Sequence, residues 1–67
     1  MKKTKVYIYG IAYYSDGTSK FSRNFIDPEA FSRWCNRQFH IDEDVTIYEY
    51  HWDMSTLESK QVSTWHA

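Results

Sequence analysis

Cysteine and histidine carry the strongest intrinsic chemistry in this chain, which has Cys35 and the three histidines His40, His51 and His66. Cys35 beside His40 or His51 would make a thiolate pair for nucleophilic catalysis. Cys35, however, falls on the apolar stripe of a predicted helix, where a cysteine is an inert small hydrophobe. A small sheet with one helix also offers little concave volume for a substrate. His51 and Asp53 alternate onto one side of a predicted strand, with His66 expected on the neighbouring one. A zinc site needs three or four converging ligands, and this spacing is none of the recognised ones. No metal, no cofactor and no catalytic residue is therefore expected, and the chain reads as non-enzymatic. The milder use of the histidines is a pH-sensitive surface, because imidazole titrates near neutrality.

The other residues able to do chemistry are the tyrosines. The stretch VYIYGIAYYSDG, residues 6–17, carries Tyr7, Tyr9, Tyr13 and Tyr14. A tyrosine supplies contact area at low entropic cost and ends in a hydroxyl, which suits a protein interface. Its other use is cross-strand packing that supports a thin sheet. Which of these applies depends on the faces that the surrounding elements assign.

The chain has 67 residues, enough for one domain and no second core. A chain of this size buries only about 60% of the surface its unfolded form exposes. Four Phe, six Tyr and three Trp offset that shortage with bulky side chains. A single cysteine excludes an internal disulfide and gives no sign of an oxidising compartment. The start MKKTKVYIYGIAYYS has the basic head and apolar run of a signal peptide. Its tyrosines, the absence of a small-residue cleavage site and its strand character argue otherwise. No segment approaches the roughly 20 apolar residues of a membrane helix, so a cytoplasmic protein is expected. Residues 1–37 hold seven basic and three acidic residues, a balance of +4, while residues 38–67 hold one basic and six acidic, a balance of −5. Such asymmetry steers a partner or is neutralised between the two halves of the fold.

Residues 5–14 are rich in β-branched and aromatic types and predict a strand. Asp16-Gly17 predicts a two-residue type I′ turn into a second strand, 18–26. Asp27-Pro28 marks a helix start, with the carboxylate as cap and proline at the first helical position. Phe31, Trp34, Cys35, Gln38 and Phe39 form one amphipathic stripe over a helix at 28–39. Residues 45–53 and 60–66 predict two further strands. The fold class is α+β: a ββαββ domain whose four-stranded sheet carries one helix on one face. In element order it resembles the β-grasp layout of small immunoglobulin-binding domains.

With a two-residue loop, Ser15 pairs with Thr18, Ala12 with Phe21 and Ile8 with Phe25. One face then holds Val6, Ile8, Gly10, Ala12, Phe21 and Phe25, with Gly10 and Ala12 leaving room for Phe31 and Trp34 beneath the helix. Tyr7, Tyr9, Ile11 and Tyr13 take the open face, and a slip of one residue would exchange the two. In the second hairpin a six-residue loop sets the register loosely. Burying Glu49 and His51 without partners is costly, so Tyr48, Tyr50 and Trp52 are expected inside. Val45, Ile47, Glu49, His51, Val62 and His66 are then expected outside.

The expected function is that of a small protein-binding module docking through Tyr7, Tyr9 and Tyr13, with Glu49 and His51 as polar neighbours. Its partner is another protein, with a homodimer as a further option and no membrane involved. Size and the lack of catalytic residues fit a phage or mobile-element accessory protein that inhibits or redirects a host factor. The alternative is a single-stranded nucleic-acid binder that stacks bases on the tyrosines and contacts phosphates through Lys2, Lys3, Lys5 and Lys20. The acidic C-terminal half opposes a polyanion, and no RNP-type motif is present.

Overall fold

The computed structural model describes residues 5–67. Strands β1 (Val6–Tyr13) and β2 (Ser19–Phe21) precede helix α1 (Pro28–Ile41), and β3 (Thr46–Asp53) and β4 (Glu58–His66) follow it. The four strands form one antiparallel sheet in the order β2-β1-β3-β4. The domain is therefore α+β in ββαββ order, with the helix on one face. Likeness to the β-grasp layout ends at element order: that layout sets its first and last strands side by side, whereas here β3 lies between β1 and β4 and runs antiparallel to both.

Helix α1 starts as its sequence dictates. Asp27 is extended at φ −94° and accepts from the Glu29 N–H at 3.0 Å, and Pro28 occupies the first turn. The helix runs two residues past the expected end, to Ile41. There the Asp42 N–H closes on the Gln38 carbonyl at 2.9 Å. Its inner stripe of Phe31, Trp34, Cys35 and Gln38 is buried against Ile8, Ala12, Phe25, Val45 and Ile47. Gln38 is satisfied inside: its amide donates to the Trp34 carbonyl, and its Oε1 accepts from the Tyr14 hydroxyl.

The first turn differs from the two-residue form expected. Gly17 N–H bonds Tyr14 O at 3.1 Å, Tyr14 N–H bonds Thr18 O at 2.9 Å, and Gly17 sits at φ +89°. This is the three-residue loop Ser15–Gly17, a type I turn followed by a left-handed glycine. The extra loop residue moves the register by one, so Phe21 pairs with Ile11 and Lys20 with Ala12. Phe21, expected in the core, is 66% exposed. Beyond it the ladder breaks at Ser22, whose N–H still donates to the Gly10 carbonyl at 2.8 Å while its hydroxyl, in place of its carbonyl, accepts from the Gly10 N–H at 2.8 Å. Phe25 then returns opposite Ile8 and is buried. The second strand is accordingly three residues long, not nine.

Candidate functional site: the aromatic sheet face

Pairing between β1 and β3 decides which side chains share a face. Tyr7 lies opposite Trp52, Tyr9 opposite Tyr50, Ile11 opposite Tyr48 and Ala12 opposite Ile47. Antiparallel partners point to the same side of the sheet. Ala12 and Ile47 are fully buried under the helix, so Tyr7, Tyr9, Ile11 and Tyr13 lie on the opposite face with Tyr48, Tyr50 and Trp52.

This arrangement corrects the expected placement of the second hairpin. Tyr48, Tyr50 and Trp52 are outside, while Val45 and Ile47 are core residues at 1% and 0% exposure. Glu49 and His51, expected beside the tyrosines, lie on the helix side opposite Gly10 and Ile8. The supposed cost of placing them inward was an unpartnered carboxylate, and Glu49 is fully partnered. Its Oε1 accepts from the Trp65 indole N–H at 2.8 Å, and its Oε2 lies 2.7 Å from His51 Nε2. Such a network satisfies the charge where an isolated carboxylate would be expelled. The loop is also shorter than expected. Asp53 pairs with Glu58 and His51 with Lys60, leaving four loop residues and Val62 as the extra residue of a bulge opposite Glu49 and Tyr50.

On the open face the aromatic rings form a ladder along the two central strands. Tyr7 stacks on Trp52 with centroids 5.9 Å apart, and Tyr9 on Tyr50 at 5.2 Å with planes only 9° apart. Tyr13 meets Tyr48 edge-on at 5.5 Å. Phe21 and Ser19 of β2 flank one side of this ladder. Ser59, Gln61, Thr64 and His66 of β4 flank the other. Five ladder phenols (Tyr7, Tyr9, Tyr13, Tyr48 and Tyr50) and the Trp52 indole have no hydrogen-bond partner among the described residues. None of these polar atoms is buried.

Charge is distributed between the two faces just as unequally. Lys20, Glu49, Asp53, Glu58 and Lys60 comprise every Lys, Arg, Asp and Glu of the four strands, and by register each lies on the helix side. No strand residue of the open face carries a formal charge, and Lys5 is exposed one residue ahead of β1. Among the described residues the one ion pair is His51–Glu49, and no direct bridge joins their basic and acidic halves.

The other candidate chemistries do not assemble. Burial, followed by the Glu49 charge, pushes the Cys35 thiol up to about 12, and the side chain is wholly enclosed. His66 lies on the open face while His51 and Asp53 lie on the other, so these three do not converge. No group of three metal-ligating side chains occurs among the described residues. Two shallow depressions flank the sheet ends, one lined by Tyr14, Ser15, Asp16, Thr18, Ile41 and Asp42, the other by His51, Asp53, Thr56, Glu58 and Lys60. In the first, the Ser15 and Thr18 hydroxyls donate to Asp42 and Asp16, exposed contacts that hold the turns. No helix among the described residues is long and apolar enough to cross a membrane.

Comparison with protein-family models, with curated proteins and with solved structures finds no match to this chain.

Proposed function

We propose that the chain is a non-enzymatic protein-docking module acting in the cytoplasm through its open sheet face, by blocking or redirecting the partner it covers. The observation that carries this reading is the division of the sheet: a ladder of six aromatic rings on one side, and every formally charged strand residue on the other. Aromatic rings at the centre with a rim of Ser, Thr and Gln are the make-up of a protein interface core, from which charge is depleted. Tyr7, Tyr9 and Tyr13 remain the anchors on β1, joined by Tyr48, Tyr50 and Trp52. Glu49 and His51 support the sheet from behind instead of contacting the partner.

Nucleic-acid binding fits this face less well, because stacking platforms work beside phosphate-binding cations. Lys20 lies on the helix side, Lys2 and Lys3 lie outside the described residues, and Lys5, exposed just ahead of β1, is a single cation. The test is capture of a partner from lysate by immobilised protein, compared with Tyr50→Ala at the ladder centre and Phe21→Ser at its exposed flank. Both variants should stay folded by circular dichroism and lose the partner. Raising salt from low to moderate should leave capture unchanged, whereas binding through phosphates would collapse. Undiminished capture by both folded variants would remove the open face from the interaction.

A further inference from the structure

We infer that the open face docks onto the same face of a second copy of this chain, giving a weak two-fold dimer of sheets packed face to face. This rests on the docking reading of that face and names its first occupant. Three features select a second copy.

The first is charge. A face carrying Lys or Glu repels itself unless the two-fold axis happens to bring opposite signs together, and this one carries no formal charge on any strand. It is complementary to a neutral surface, and its own twin is such a surface. The second is hydrogen bonding. The unpaired phenols of Tyr7, Tyr9, Tyr13, Tyr48 and Tyr50 each donate and accept, so tyrosines facing tyrosines satisfy one another with no other residue type. The Trp52 indole N–H, a donor only, finds acceptors among the same hydroxyls.

The third feature is area. Strands of 8, 3, 8 and 9 residues, about 4.8 Å apart and rising about 3.3 Å per residue, give a face of roughly 450 Å². Two such faces cover roughly 900 Å² together, the size of a weak, reversible interface. Pairing is thus weak, with a dissociation constant of roughly micromolar or above. Aligned sheets packed at about 30° would place the two ladders across each other, burying the aromatic centre with Thr64 beside Tyr48 and leaving Ser59 and His66, at the ends of β4, on the rim. A heterologous partner would then compete with the second copy for the same tyrosines.

Sedimentation equilibrium between roughly 10 μM and 1 mM, the range an interface this small requires, tests the proposal. The expected result is a reversible monomer–dimer equilibrium that changes less than about twofold with salt, because no charge lies at the contact. Thr64→Asp puts a short carboxylate beside Tyr48 at an exposed position that the core does not use. It should weaken dimerisation at least about tenfold, since the facing surface offers the charge no partner. Tyr50→Ser should do the same from the ladder centre, and Thr64→Asp decides the matter if that variant unfolds. A chain monomeric at the highest concentration overturns the proposal. So does a dimer that Thr64→Asp leaves intact, which would place the contact away from the open face. A monomeric chain that still captures a partner, and loses it on Tyr50→Ala, removes only the second copy and leaves the docking reading standing.

Discussion

Gly10 shows how closely helix and sheet approach. A methyl group added there would lie 2.9 Å from Phe31 Cε1 and 3.0 Å from Trp34 Cζ3, both rings being held in the core. Gly10→Ala is expected to cost about 1–3 kcal/mol through overpacking, read as a lowered urea midpoint at unchanged slope. Glu49 is the other decisive residue. Glu49→Ala leaves the half-buried Trp65 indole N–H and His51 without their acceptor, and a loss of about 1–3 kcal/mol is expected from the same measurement. Cys35 follows from burial alone. With its thiol pushed up to about 12, it should resist an aromatic disulfide reagent at pH 8 and react at once when urea unfolds the chain.

Turns and caps govern the behaviour of the elements. Leu57, in the loop joining β3 and β4, sits at φ 58° with its side chain 72% exposed, a left-handed position that a leucine occupies under strain. Leu57→Gly should stabilise the hairpin by up to about 1 kcal/mol, raising the thermal midpoint. Three aspartates hold the turns: Asp16 accepts from Thr18, Asp53 from Ser55, and Asp42 from the backbone and hydroxyl of Ser15 and the backbone of Asp44. These hydrogen bonds lower all three carboxyl groups below their ordinary 3.8. A lowered folded-state value stabilises the protein above the unfolded value, and that contribution is lost as pH falls through the folded one. The thermal midpoint should therefore be insensitive to these groups from neutrality to about pH 5 and fall below about pH 4. Asp42→Asn should flatten part of that fall, because it ties the first turn to the helix end.

At the scale of the molecule, the sheet is a partition. Aliphatic residues and the Glu49 network face the helix, and amphipathic aromatic rings face away. Central strands β1 and β3 are bonded on both sides, whereas β4 is an edge whose residues are nearly all exposed. Amide exchange should accordingly be slowest in β1 and β3 and fastest along the outward amides of β4. The open face adds a second expectation. Dimerisation or docking there should slow exchange along β1 and β3 with little effect on α1, whereas docking on the helix would do the reverse.

Element order, the helix with its cap and the alternation of β1 were legible because local rules govern them, and the tyrosines of β1 face outward although the turn register argued for them does not hold. Asp27-Pro28 starts a helix in any context, and alternation separates Ile8 and Ala12 from Tyr7, Tyr9 and Tyr13. The same aliphatic-versus-tyrosine division recurs along Val45 and β3, where Val45 and Ile47 alternate with Tyr48, Tyr50 and Trp52, and it is the signal that would have placed that strand correctly. Weighing the burial cost of Glu49 and His51 alone pointed the other way, because Trp65, the residue that satisfies Glu49, lies 16 positions away. Register was the other matter beyond local sequence. One extra residue in the Ser15–Gly17 loop sent Phe21 outward, and the break in the ladder at Ser22 brought Phe25 back. The sequence by itself determined which residues alternate together on each strand. Only the tertiary structure decided which alternating set faces the helix, because that depends on cross-strand pairing and on hydrogen-bond partners distant along the chain.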